Sequence, residues 1–119
     1  MITDVFLQEI AKSINGESST VPSHMAFSND STTPDPTDTS LASEFDRSSI
    51  TGSRVTNSIT FNSIRSSATA SGSGDTINKL GLFSASSSGN LFMEATVPSI
   101  LHTDDFDFEV DATITISRR

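Results

Sequence analysis

Residues 106–117 alternate without a fault. Phe106, Phe108, Val110, Ala112, Ile114 and Ile116 are interleaved with Asp107, Glu109, Asp111, Thr113, Thr115 and Ser117. Neighbouring side chains of an extended backbone point to opposite faces, so this period of two predicts a long antiparallel strand with one dry and one wet face. Such a strand must bury its apolar side against other elements, and the rest of the chain supplies them. Residues 24–28, 47–51, 55–64, 77–85 and 91–97 read as further strands. Gly52-Ser53 reads as a turn or bulge, Ser86-Ser87-Ser88-Gly89-Asn90 as a hairpin loop, and Pro98 as the stop of its strand.

The N-terminal stretch keeps a different period. Ile2, Phe6, Ile10 and Ile14 recur every fourth residue with Val5 and Leu7 beside them, which predicts an amphipathic helix over residues 3–15. Thr3 suits the N-cap, Asp4 the first turn, and Gly16 the stop. Its stripe packs either on its own domain or on a neighbouring subunit. One helix followed by about six strands predicts a mainly β chain, an antiparallel β-sandwich with one N-terminal amphipathic helix. The expected division is a docking helix at residues 1–16 and a sandwich domain at residues 17–119, including a long loop at residues 29–44. That loop holds Pro34 and Pro36 and has no periodicity; a loop of this length in a small domain is expected to make functional contacts.

Composition narrows the chemistry. The chain has 119 residues, enough for one domain with a modest core and no staples. Without cysteine it has no disulfide, thiolate metal site or thiol nucleophile. Fifteen acids against seven Lys and Arg give a net charge of −8, which repels a phosphate backbone and argues against nucleic-acid binding. No apolar run is long enough for a transmembrane helix, and residues 1–4 lack the basic and apolar regions of a signal peptide. The expectation is a protein made in the cytoplasm with no membrane partner. Asp outnumbers Glu and only Lys12 and Lys79 are lysines, a balance that fits a salt-adapted source. Ser and Thr make up about a third of the chain, with Thr suiting wet strand faces and Ser the loops.

Candidate sites are few. His24 and His102 have no ligand partner at metal-site spacing, no serine sits in a nucleophile elbow, and Ser71-Gly72-Ser73-Gly74-Asp75 lacks the lysine of a phosphate loop. Asp105, Asp107, Glu109 and Asp111 would project from one strand face. They are candidates for calcium, with Asp105, Asp107 and Glu109 foremost; a carboxylate pair of this kind also serves glycosidases. The plainer reading is a solvated face whose like charges discourage edge-to-edge pairing. Asn29-Asp30-Ser31 matches a glycosylation sequon.

Two stretches resemble small β-domain structural proteins of tailed viruses. The first is Thr32-Thr33-Pro34-Asp35-Pro36-Thr37-Asp38 leading to Leu41, Glu44 and Arg47. The second is Gly81-Leu82-Phe83, then Ser88-Gly89, Leu91 and Ala95-Thr96 ahead of the alternating strand. Members often carry an acid before the Gly-Leu-Phe, where this chain has Lys79-Leu80, and the helix lies outside the resemblance. The resemblance implies a virion component of the tail, baseplate, fibre or capsid surface, without an active site or cofactor. It would assemble as a symmetric homo-oligomer with other virion proteins, and the acidic balance would suit a haloarchaeal virus. The expected assembly contacts are Val5, Phe6, Ile10 and Ile14 on the helix, with Pro34, Pro36 and Leu41 in the loop. The alternative is a receptor- or carbohydrate-binding module at the virion surface, although the chain has no Trp or Tyr to stack on a sugar ring.

Overall fold

A computed structural model describes residues 1–118. Its helix α1 spans Asp4–Ile14, one residue inside the expected range at each end. Thr3 caps it by accepting a hydrogen bond from the Phe6 amide, and Asp4 and Lys12 sit at the ends that favour their charges. No helix among the described residues is long and apolar enough to cross a membrane.

Six strands follow: β1 (His24–Ser28), β2 (Glu44–Val55), β3 (Ser58–Arg65), β4 (Asp75–Phe83), β5 (Leu91–His102) and β6 (Phe108–Thr115). They form one antiparallel sheet in the order β5-β4-β1-β2-β3-β6. The sandwich expected from sequence gives way here to a nearly closed, barrel-like sheet. The cause is β2, which pairs with β1 from Glu44 to Ser49 and with β3 from Ile50 to Val55. One strand thus serves both halves, and the sheet curls about it. Met25 and Phe27 of β1, Phe61 of β3, and Ile77 and Leu82 of β4 form the core, and Phe108, Val110, Ala112 and Ile114 of β6 pack against it from the far edge.

Two expected strand ends move. Gly52 and Ser53 are ladder residues of β2 opposite Phe61 and Thr60; the reversal lies at Thr56 and Asn57, with Thr56 at a φ of 51°. Pro98 lies inside β5. Lys79 pairs with Thr96 and Ile77 with Ile100, so Val97, Pro98 and Ser99 stand opposite Asn78 alone. This irregularity on an edge strand tolerates a residue without an N–H. β6 covers eight of the twelve alternating residues, and its burial follows the alternation: Phe108, Val110, Ala112 and Ile114 are half-buried, and the residues between them are exposed.

The long loop does not stand apart from the domain. Leu41 is buried with Ala26, Phe83 and Leu91 on the outer face of β1, β4 and β5, so the loop roofs that face. Leu41, expected as an assembly contact, is therefore a buried core residue of its own chain.

Candidate functional site

The helix is locked to the barrel by polar contacts that its apolar stripe does not reveal. Thr3 is fully buried. Its hydroxyl donates to the carbonyls of Leu91 and Phe92, and its amide donates to Phe92 O at 3.0 Å. Glu9 accepts from the Thr20 amide at 3.0 Å, from Asn90 Nδ2 at 3.1 Å and from Lys12 Nζ at 3.2 Å. The Thr20 amide is the main reason its carboxyl sits below the ordinary range. The Phe6 ring lies 5.0 Å from that of Phe92. The docking helix is thus fastened to the sheet of its own chain.

What this attachment leaves open is an apolar groove of about 620 Å³ between α1 and the end of the β3–β6 pair. Ile2, Phe6 and Ile10 form one wall, Val21 and Pro22 a second, and Ile59, Phe61, Ile114 and Ile116 the third. Ile10 is 40% exposed, Val21 70% and Ile116 66%, which leaves aliphatic surface in water at one end of the molecule. Of the expected assembly residues, Phe6 and Ile10 line this groove, Val5 is half-buried, and Ile14 stands away from it at 83% exposure. Pro34 is half-buried in the loop, and exposed Pro36 accepts a hydrogen bond from the Asp4 amide at 2.8 Å. Sequence patterning does not single out Val21, whose only signal is an aliphatic residue ahead of β1; Ile116 belongs to the alternating run but lies just past the end of β6.

Beneath the loop lies a polar cluster on the outer face of the sheet. Lys79 of β4 is 2% exposed; its Nζ is 2.7 Å from Asp30 Oδ2, 3.1 Å from Thr32 Oγ1 and 3.5 Å from Glu94 Oε1. The Lys79 hydrogen bond draws the Asp30 carboxyl down to about 2. Glu94 of β5 is also 2% exposed, and its Oε2 has no hydrogen-bond partner among the described residues. Burial, then the neighbouring Asp38 carboxyl, raises the Glu94 pKa against the opposing pull of Lys79.

A second cluster closes one end of the barrel. Arg65 is 3% exposed and reaches Asp46 Oδ2 at 2.7 Å, Asp75 Oδ2 at 2.9 Å and His102 Nδ1 at 2.7 Å. The guanidinium can only donate, so His102 Nδ1 accepts, and His102 Nε2 donates to Phe106 O at 2.8 Å. Each partner is satisfied within the chain, which makes this a structural network. His24 is engaged with Ser23 Oγ at 2.8 Å.

The calcium candidates are dispersed. Asp105 lies in the turn before β6, Asp107 Oδ1 accepts from the Ser67 amide at 2.8 Å, and Glu109 and Asp111 share Asn62 Nδ2 at 2.6 and 2.8 Å. Among the described residues no three His, Asp or Glu side chains are grouped to hold a metal ion. Asn29 is exposed at the start of the loop. No protein-family model, curated protein or solved structure matched this chain.

Proposed function

We propose that the chain is a non-enzymatic structural building block of a tailed-virus particle, assembling with copies of itself through the end of the molecule that carries the apolar groove. The observation that carries this reading is the groove between α1 and β6, where Ile10, Val21 and Ile116 remain in water. A symmetric contact between copies would cover that surface twice with one patch. The Thr-Pro-Asp loop and the Gly-Leu-Phe hairpin, which resemble virion β-domains, support the same reading and suggest the tail, baseplate or capsid surface as the location.

The test is the mass of the protein in solution. Light scattering is expected to show an oligomer for the parent chain, favoured at about 2 M NaCl, where repulsion between copies is screened. Ile10→Asp with Ile116→Asp is expected to give a monomer of unchanged circular dichroism. Phe6 is left alone, because its ring packs on Phe92 within the chain. A parent chain that stays monomeric in both salts, or a double variant that keeps the parental mass, overturns the reading. Dose-dependent binding on a glycan array would instead favour a carbohydrate-binding module.

A further inference from the structure

The sheet stops short of closing between its two outermost strands. β5 and β6 are the ends of the strand order and are not hydrogen-bonded to each other. A slot of about 260 Å³ opens between them, floored by Met25 and Leu82 and walled by Met93, Val97, Val110 and Ala112. The chain already begins to fill this seam itself. Ile2 bridges Met93 in antiparallel register; Met1 O accepts from the Glu94 amide at 3.0 Å, and the Met1 amino group donates to Glu94 O at 2.9 Å. Residues 1–3 thus lie as a rudimentary strand beside Phe92–Glu94 on the free edge of β5. Farther along β5, Pro98 has no N–H to give. β6 offers its whole length, Phe108–Thr115, paired only with β3.

We propose that this seam receives an extended segment of a different polypeptide, which adds to β6 as a seventh strand. Its alternate residues are aliphatic and enter the slot; the residues between them are Lys or Arg. The aliphatic half of that description follows from the lining, and the basic half from charge. Glu109 and Asp111 stand exposed on the outer face of β6, directly beside the outward side chains of any added strand. Opposite charges across a strand pair stabilise it and like charges oppose it. The same rule disfavours a second copy: two β6 strands set edge to edge in antiparallel register about Asp111 would face acid with acid. Main-chain hydrogen bonds along β6 would supply affinity and the slot would select side chains. This inference stands apart from the proposed function, since it concerns neither the apolar groove nor self-assembly.

The probes are short dye-labelled peptides: one alternating lysine and valine, one alternating glutamate and valine, and a lysine–valine peptide with a central proline. Fluorescence anisotropy is expected to show the first binding about tenfold or more tightly than either of the others. Hydrogen exchange should slow along Phe108–Thr115 when it binds. Glu109→Lys with Asp111→Lys should reverse the preference between the lysine and glutamate peptides. Equal binding of the proline peptide would reduce the effect to bulk charge and overturn strand addition. So would no binding, or binding without protection of β6. A parent chain that self-associates with protection of β6, and that Val110→Lys renders monomeric, would assign the seam to a second copy and overturn the choice of partner.

Discussion

Glu94 is a carboxyl placed where a carboxylate is expensive. It shares the buried space under the loop with Lys79, Asp30 and Asp38, yet Lys79 Nζ stands nearer Asp30, at 2.7 Å, than Glu94, at 3.5 Å. The lysine therefore settles on Asp30, and Glu94 Oε2 is left without a donor. A protonated Glu94 places no second charge beside Asp38 in this buried space, in line with the upward direction of the Glu94 pKa. A carboxyl whose pKa is higher folded than unfolded stabilises the fold below its ordinary value of 4.5 and costs stability as pH rises through the folded value. Glu94→Gln puts an uncharged amide, with N–H groups to donate, beside the Asp38 carboxyl at every pH. The variant is expected to match the parent near pH 4 and to exceed it by about 1–3 kcal/mol at pH 8, the cost of an unsatisfied buried acceptor. Urea melts at the two pH values check this; a variant less stable than the parent at pH 8 would show that the Lys79 contact outweighs the desolvation.

At the scale of elements, α1 is held by its N-cap residue as much as by its stripe. Thr3 caps the helix, donates its hydroxyl to two carbonyls of β5 and is fully buried. Thr3→Val keeps the shape and removes the hydroxyl. The loss of a cap and of bonds to the edge strand is expected to cost about 2 kcal/mol. The damage should be local: amide exchange accelerates through Asp4–Ile14 while β1 and β4 keep their protection. Uniform acceleration would instead mean that the helix and barrel unfold as one unit. This lock also marks how far the sequence could be read. The helix, β1 and the alternation of β6 depend on local period and were legible from it. Three features depend on partners distant in sequence. β2 runs through Gly52 because β3 pairs with it; β5 runs through Pro98 because it is an edge strand; and the sheet curls because β2 serves both halves. The groove and the seam were illegible for the same reason, since each forms only where chain ends and far strands meet. Lys79 and Glu94 did carry a faint signal, as charged residues inside apolar runs that become strands.

For the whole molecule, the net charge of −8 is carried largely by acids outside the ion pairs. Among the described residues, Lys12 pairs with Glu9, Arg47 with Glu44, Arg65 with Asp46 and Asp75, and Lys79 with Asp30 and Glu94. Two of those bases, Arg65 and Lys79, are buried. Exposed acids such as Asp104, Asp105, Asp107, Glu109 and Asp111 therefore face water with little opposing charge nearby. Salt acts differently on the two populations. It screens repulsion among exposed acids within a Debye length of about 8 Å at 0.15 M, and it scarcely reaches the buried pairs. Screening should therefore raise stability without loosening the Arg65 and Lys79 networks. The melting temperature is expected to climb by several degrees between about 0.01 and 0.2 M NaCl and then to flatten, because most of the screening is complete by then. A melting temperature that falls over the same interval would place the dominant electrostatics in the ion pairs, and the acidic surface would then be a bystander to folding.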